Sequence, residues 1–214
     1  MKFSLSVIQT LLVGLVASAP VELLERKTYG TTSNEYTTGG CKGVILFFAR
    51  GTSQDGNLGD MPGQQLATAL SNAVGTNFAA QGINYSASLL GNLNSGGCPP
   101  TEAAEMTSLL NAAASACPSS KLVVAGYSQG AAMVHRAIED ATATTVSRIA
   151  AAVTFGDTQK AQDGGKIPNI ATSKTKIYCN TGDLVCEGTL IITSAHTDYL
   201  SSVNPAVQFI TSLL

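Results

Sequence analysis

The sequence lacks tryptophan and has few charged side chains, and both shortages exclude classes of function. Only 12% of the 214 residues are charged, the formal net charge is −2, and no block of like charge occurs. A nucleic-acid-binding surface needs clustered Lys and Arg side chains, so we expect no nucleic-acid partner. Aromatic residues make up 6% of the chain, which is little for a protein that stacks sugar rings. At this length we expect one globular domain with a substantial core.

A long apolar run of the kind that crosses a bilayer, about 20 residues, is also missing. The apolar run near the N-terminus follows Lys2, is short and interrupted, and ends in small residues. This pattern predicts a secretory signal peptide over residues 1–18 rather than a membrane anchor. The dibasic step Arg26-Lys27 makes residues 19–27 a candidate propeptide, with an ordinary solvated charge cluster as the alternative. The mature domain would then span residues 28–214 and be secreted, extracellular and without a transmembrane anchor.

The cysteines are odd in number and do not have the spacing of a zinc site. The five are Cys41, Cys98, Cys117, Cys179 and Cys186. Since no C-x-x-C pair occurs and neither histidine lies near two cysteines, we predict no metal site and no cofactor. In an oxidising compartment the default is two disulfides and one free thiol, with the pairing left open by spacing. Asn84-Tyr85-Ser86 is a glycosylation sequon, but it falls in a predicted strand, which disfavours occupancy.

Short apolar runs alternate with helical patterns from residue 41 onward. The predicted strands cover residues 42–48, 83–89, 121–126, 149–155 and 174–179. The predicted helices begin at Pro62 and at Pro99 and cover residues 129–140 and 205–213. This alternation predicts an α/β fold with a central five-stranded, mostly parallel sheet and helices on both faces. In such a sheet the functional side chains gather beyond the carboxyl ends of the strands.

A G-x-S-x-G pentapeptide, Gly126-Tyr127-Ser128-Gln129-Gly130, joins one predicted strand directly to a helix. This strand, turn and helix lift a serine hydroxyl above the sheet, and the flanking glycines relieve crowding in a strained turn. The alternative is a glycine-rich turn with an incidental serine, but the flanking pattern favours a nucleophile. We therefore predict that Ser128 is the catalytic nucleophile.

A serine nucleophile needs a base, which near neutral pH is nearly always histidine. The chain has two histidines. His135 lies seven residues into the helix after Ser128, about 10 Å along its axis, so it is out of reach and is interpreted as an ordinary helix-face residue. His196 lies past the last predicted strand and is predicted to be the base.

Three aspartates compete for the third position, which orients the histidine. Asp183 is preferred because it follows a strand and stands between Cys179 and Cys186. Asp157, which also ends a strand, and Asp198, which is close to the histidine in sequence, stay open. The order serine, aspartate, histidine along the chain would match the α/β-hydrolase order once Asp183 is chosen.

The oxyanion of the tetrahedral intermediate needs two hydrogen-bond donors. One is the backbone N–H of Gln129, at the start of a helix whose dipole favours negative charge. The other is expected from the loop after the first strand, where Thr52 offers a backbone N–H and a hydroxyl.

These motifs resemble the cutinases, a family of secreted serine esterases mostly from fungi. The resemblance rests on residues 41–51 (CKGVILFFARG), 126–132 (GYSQGAA) and 179–188 (CNTGDLVCEG), followed by His196. It implies a small lidless α/β-hydrolase fold and hydrolysis of the polyester cutin. It also implies the triad Ser128, Asp183 and His196, with Thr52 and Gln129 as the oxyanion hole.

The resemblance further implies the disulfides Cys41–Cys117 and Cys179–Cys186. Cys98 is extra to that pattern, and is either a buried thiol or a competitor for Cys117. Thr52 stands where many relatives have serine, which keeps the hydroxyl and adds a methyl group. Asn92 and Asn94 are both candidates to support Thr52.

Two uncharged apolar clusters flank the predicted nucleophile and suggest an apolar substrate. They comprise Leu89, Leu90, Leu93, Leu190, Ile191 and Ile192. We expect half of them to be core and the remainder, with Leu90, Leu190 and Ile192 as our choice, to bind the substrate. The substrate would be an insoluble polyester or a small ester, and the protein a monomer. The alternatives are an acetylxylan esterase, which the missing tryptophan disfavours, and a secreted elicitor or interaction protein on the same scaffold.

Overall fold

The computed structural model describes residues 26–214, in which five strands form one sheet. They are β1 (Val44–Ala49), β2 (Phe78–Gly82), β3 (Lys121–Tyr127), β4 (Ile149–Phe155) and β5 (Thr175–Tyr178). Their order across the sheet is β2-β1-β3-β4-β5, and every neighbouring pair is parallel. The carboxyl ends of all five strands therefore meet at one edge. The predicted five-stranded α/β fold is confirmed, with a sheet that is wholly parallel.

Helices cover both faces of this sheet. They are α1 (Glu35–Gly39), α2 (Gly63–Val74), α3 (Pro100–Ala116), α4 (Gln129–Glu139), α5 (Ala143–Arg148) and α6 (Leu200–Thr211). Short 3₁₀ turns at Leu89–Leu93, Thr172–Lys174 and Leu184–Glu187 complete the described elements.

Alternation along the strands divides the core into two layers. On β1, Ile45 and Phe47 pack in the layer that contains α3 and α4, while Leu46 and Phe48 pack in the layer that contains α2 and α6. All four side chains are fully buried, as a strand covered on both faces requires. At roughly 1.5–3 kcal/mol for each large apolar side chain removed from water, the two layers are the main stabilising term.

The prediction of a second strand over residues 83–89 was wrong. β2 is Phe78–Gly82, and residues 83–89 are not part of the sheet. Burial does alternate along that segment, with Ile83, Tyr85 and Ala87 buried and the residues between them exposed. The alternation arises because the segment runs extended over the end of β1, bonded through the N–H of Ile83 and the carbonyl of Ala87 rather than through a strand ladder.

The last helix was predicted too short. α6 begins at Leu200, and Pro205, the predicted start, lies inside it. Proline is common in the first turn of helices, so its position was a misleading signal here. Ala206 and Ile210 belong to the apolar layer on one face of the sheet, and this packing holds the helix through the proline.

Two disulfides join the four expected cysteines. Cys41 pairs with Cys117 and Cys179 with Cys186, while Cys98 is a buried free thiol. Burial raises the pKa of Cys98 to about 12, which keeps it protonated and unreactive. The sequon residue Asn84 lies outside the strands and is exposed, so the predicted reason against its glycosylation was wrong.

The predicted signal peptide, residues 1–18, lies outside the described residues, as does most of the candidate propeptide, residues 19–27. Lys27 is described: its ammonium group bonds the carboxylate of Glu35 and lies over the ring of Tyr29. Among the helices of residues 26–214, none has the length and apolar character that a membrane span requires.

Candidate active site

The turn between β3 and α4 holds Ser128 in a strained conformation. Its φ of 56° and ψ of −120° are unusual for a residue with a side chain. The turn closes only because its neighbours are glycines: a Cβ on Gly126 would lie 2.1 Å from the carbonyl oxygen of Gly130, and one on Gly130 would lie 1.9 Å from that of Ala49. The hydroxyl of Ser128 is thereby held at the carboxyl edge of the sheet.

Ser128, His196 and Asp183 form one hydrogen-bonded chain. The hydroxyl oxygen Oγ of Ser128 lies 2.9 Å from Nε2 of His196. Nδ1 of the same ring lies 3.0 and 2.9 Å from the two carboxylate oxygens of Asp183. With Nδ1–H donating to the carboxylate, Nε2 is left free to accept the serine proton. All three residues are buried, Ser128 at 8% exposure and His196 and Asp183 at 2% each.

Besides His196, two hydrogen-bond donors fix the carboxylate of Asp183. Its Oδ1 accepts from the backbone N–H of Val185 at 3.0 Å, and its Oδ2 accepts from the hydroxyl of Tyr199 at 2.5 Å. That hydroxyl in turn accepts from the N–H of Asn180 at 3.0 Å. The disulfide between Cys179 and Cys186 closes the loop in which Asp183 lies.

Tyr127, next to the serine, holds the ring of His196. The two rings stack with centroids 5.3 Å apart, and the tyrosine hydroxyl donates to the backbone carbonyl of His196 at 2.7 Å. On the other side, a Cβ on Gly156 would lie 2.8 Å from the imidazole, so only glycine leaves room for the ring. The histidine loop is thus fixed from two sides.

The competing aspartates are engaged elsewhere. Asp198 accepts from the N–H of Leu200 at the start of α6. Asp157 is fully buried and lies 2.9 Å from Nε2 of His135, whose Nδ1 lies 2.7 Å from Asp163.

His135 was expected to be an ordinary helix-face residue, but it is a buried charged group. Burial alone would lower the pKa of His135, but hydrogen bonds and charge attraction from Asp157 and Asp163 raise it to about 9. Burial tends to raise the pKa of Asp157, yet the bond to His135 holds it below its usual range. Arg136 also pairs with Asp163. This ion cluster was missed because the two aspartates are far from His135 in sequence and become its neighbours only when α4 packs beside the end of β4.

The predicted oxyanion donors are Gln129, which follows the serine directly in the chain, and Thr52 in the loop after β1. Gln129 is the first residue of α4, so its backbone N–H has no acceptor within the helix. Thr52 lines the cavity beside Ser128, and its hydroxyl accepts from the amide nitrogen of Asn92 at 2.9 Å. Asn94, the other candidate, donates to the carbonyl of Gly91 instead.

A cavity of about 500 Å³ opens above Ser128 and is lined mainly by apolar side chains. Leu90, Leu190 and Ile192, the predicted substrate-binding residues, all line it. The expectation that half of the two apolar clusters is core was wrong, since all six side chains are between 53% and 74% exposed. They stand on the Leu89–Leu93 turn and on the segment before His196, and together they form an exposed apolar rim. Within residues 26–214, no cluster of three or more His, Cys, Asp or Glu side chains could hold a metal ion.

A Ser-His-Asp chain at the carboxyl edge of a parallel sheet, with the nucleophile on a strand-to-helix turn, defines a serine hydrolase of the α/β-hydrolase class. The cutinase family model matches residues 40–214. Cutinase CUT2 of Pyricularia oryzae is 57% identical over 211 residues, covering 98% of this chain and 98% of that protein. The chain belongs to the cutinase family.

Solved structures agree with this assignment. Trichoderma reesei cutinase in complex with a phosphonate inhibitor has a TM-score of 0.77 and 33% identity, covering 86% of this chain and 80% of that chain. The catalytic core domain of acetyl xylan esterase from Trichoderma reesei has a TM-score of 0.61 and 24% identity, covering 81% of this chain and all (100%) of that chain. The second likeness concerns the fold alone.

Proposed function

We propose that this protein is a serine esterase that hydrolyses ester bonds of the polyester cutin and of short-chain soluble esters through an acyl-enzyme. One observation carries the proposal: the hydrogen-bonded chain from Asp183 through His196 to Ser128 ends in an apolar cavity open to the surface. Membership of the cutinase family and the names of the relatives support the same substrate class.

The reaction follows from the positions of these groups. Nε2 of His196 takes the proton of Ser128 as Oγ attacks the ester carbonyl carbon. The N–H of Gln129 and the donors of Thr52 stabilise the negative charge on the carbonyl oxygen. The carbon–oxygen bond to the alcohol then breaks, and the alcohol leaves with the proton from His196. Water, deprotonated by the same histidine, attacks the acyl-enzyme and releases the acid and the serine.

The exposed apolar rim favours the proposal that the substrate is insoluble. Leu89, Leu90 and Leu93 on one side and Leu190, Ile191 and Ile192 on the other are exposed without a partner among the described residues. Burying such side chains against an aliphatic polymer is favourable, at about 25 cal/mol per Å² of apolar surface. A soluble enzyme with such a rim can bind a polyester surface directly. We also infer that the protein is secreted, which agrees with its two disulfides, and that it acts as a monomer.

The catalytic assignment is tested by two substitutions in the triad and two at the competing aspartates. Ser128→Ala should abolish hydrolysis of a short p-nitrophenyl ester, and retained turnover would refute the nucleophile. Asp183→Asn should lower kcat about ten-thousand-fold because the histidine would lose its orientation and its countercharge. Asp198→Asn is the matched control beside the histidine and should keep nearly full activity. Asp157→Asn, assayed where circular dichroism shows it folded, should also stay active; a collapse there with an active Asp183→Asn would move the triad.

The substrate is tested by comparing two polymers. Purified cutin should release hydroxy fatty acids, and acetylated xylan should release little acetate in parallel assays. The reverse result would favour an acetylxylan esterase. A biological response that is equal for the wild type and for folded Ser128→Ala would reveal a role as an interaction protein that does not need catalysis.

A further inference from the structure

A second, polar cavity adjoins the apolar one. Its volume is about 250 Å³, and it shares Asn92, Thr158 and Leu190 with the cavity above Ser128. Its other polar lining side chains are Asn94, Gln159, Gln162 and Thr189. A substrate bound at the serine could therefore extend from the apolar cavity into this one without leaving the protein surface.

Besides Thr158, Gln159 is the buried residue that lines this polar cavity. The residue is 6% exposed, its Nε2 donates to the carbonyl of Thr158 at 3.2 Å, and its Oε1 has no hydrogen-bond donor within the described residues. Its backbone N–H donates to Asp157 of the ion cluster at 2.8 Å, which fixes it from below. Gln159 therefore lines the cavity with an amide whose acceptor is not used by the protein, which favours a ligand that can donate a hydrogen bond.

The lining determines the chemistry of that ligand. No charged side chain lines the cavity, so neither an anion nor a cation finds a counterion there. Amide and hydroxyl groups both donate and accept, which is the complement of an alcohol hydroxyl. Glycines keep the cavity open: a Cβ on Gly97 would lie 2.4 Å from Nε2 of Gln159.

We propose that the polar cavity around Gln159 is a subsite for an alcohol hydroxyl of the ester substrate, next to the apolar subsite for its hydrocarbon part. The proposal rests on the esterase function proposed above and adds a preference for hydroxylated esters. Two sources carry the same group: a hydroxyl on the acyl chain, and a hydroxyl on the alcohol part of the ester.

Two matched pairs of soluble esters distinguish these sources. Ethyl hexanoate is compared with ethyl hexanoate bearing a hydroxyl on its terminal acyl carbon, and propyl butyrate with glyceryl monobutyrate. The preference is the ratio of kcat/KM for the hydroxylated ester to that for its plain partner. It is measured for the wild type, for Gln159→Leu, for Gln162→Leu at the exposed mouth of the cavity, and for the control Gln208→Leu on α6.

The wild type should prefer the hydroxylated member of at least one pair by about fivefold, the value of one ordinary hydrogen bond. Gln159→Leu should bring that ratio close to one while turnover of the plain esters continues, and Gln162→Leu should lower it partly. Gln208→Leu should leave it unchanged. If Gln159→Leu does not fold, Gln162→Leu alone decides.

A ratio near one for both pairs in the wild type, or an equal ratio in wild type and folded variants, would overturn the subsite. If the wild type does not hydrolyse propyl butyrate at all, that result would instead contradict the esterase function itself.

Discussion

At the scale of single residues, Tyr199 shows how the aspartate of the site is held. The tyrosine is fully buried and its hydroxyl joins Asp183 to the backbone of Asn180. Tyr199→Phe should lower kcat about tenfold with little change in KM, because the carboxylate loses a donor but the substrate cavity keeps its shape. Steady-state kinetics on a soluble ester measure kcat and KM separately.

The matched control for this prediction is Tyr178→Phe. Tyr178 stacks on Phe155, with ring centroids 5.3 Å apart, and its hydroxyl makes no hydrogen bond within the described residues. Its loss should therefore leave kcat unchanged. Equal effects of the two substitutions would show that the hydroxyl of Tyr199 does not orient Asp183.

His135 makes the stability of the fold depend on pH. Its pKa rises from about 6.5 in an unfolded chain to about 9 in the folded protein. The resulting stabilisation is complete below pH 6.5 and disappears as the pH rises through 9, on the order of 3 kcal/mol in total. Denaturant unfolding at a series of pH values should show this fall for the wild type, and His135→Gln should flatten it.

The carboxylates of the same cluster give stability the opposite pH dependence, with a loss at acid pH rather than at alkaline pH. Because the pKa values of Asp157 and Asp163 are lowered, their contribution is present above their ordinary value near 4 and is lost as the pH falls below it. An unchanged slope between pH 6.5 and 9 in folded His135→Gln would show that another group causes the alkaline loss.

The residues of the site differ in how far the sequence could identify them. Ser128 lies in a local motif, and His196 followed by elimination because the chain has two histidines. Asp183 was preferred because it follows a strand and stands between two cysteines, but Asp157, which also ends a strand, stayed open until the resemblance to the family. Tyr199 could not be found, because it is 16 residues from Asp183 and gains its role only when α6 packs against β4 and β5.

At the scale of elements, the Leu89–Leu93 turn links substrate binding to the oxyanion hole. The side-chain amide of Gln129 donates to the carbonyl of Ser88 at the start of the turn, and Asn92 within it donates to the hydroxyl of Thr52. A movement of the turn would therefore displace the apolar rim and the oxyanion donor together.

Asn92→Ala should separate these roles. Without the amide, the hydroxyl of Thr52 is free to rotate away from the developing oxyanion, so kcat should fall about tenfold to a hundredfold. KM for a plain alkyl ester should change little because the leucines of the rim remain. Asn204→Ala, at an exposed position of α6, is the control. A rise in KM with constant kcat would mean that the turn positions substrate only.

The elements also show where sequence patterns stop being informative. The sequence predicts a strand over residues 83–89, and the burial of that segment does alternate although it lies outside the sheet. The real strand, β2, reads FAAQG, which has little of the β-branched character that marks strands in isolation. Its strand geometry comes from pairing with β1 along five residues, a long-range contact that local composition does not encode.

At the scale of the whole molecule, the two disulfides have different roles. Cys41–Cys117 closes a separation of 76 residues and ties the segment before β1 to the end of α3, whereas Cys179–Cys186 closes a separation of seven beside Asp183. Loop-closure entropy assigns the first roughly 4 kcal/mol and the second roughly 2 kcal/mol. The longer link therefore contributes more to stability, and the shorter one lies where small displacements affect catalysis.

The two disulfides can be removed independently by serine substitution. Cys41→Ser with Cys117→Ser should lower Tm by about 10 °C and leave kcat at 20 °C nearly unchanged, because the loss falls on the unfolded chain far from the serine. Cys179→Ser with Cys186→Ser should lower Tm less but reduce kcat about tenfold, because the Asp183 carboxylate is then held by hydrogen bonds alone. Calorimetry measures which double variant loses more Tm, and ester kinetics measure which loses more kcat. If the same pair had the larger effect on both Tm and kcat, stability and catalytic geometry would not be divided between the disulfides in this way.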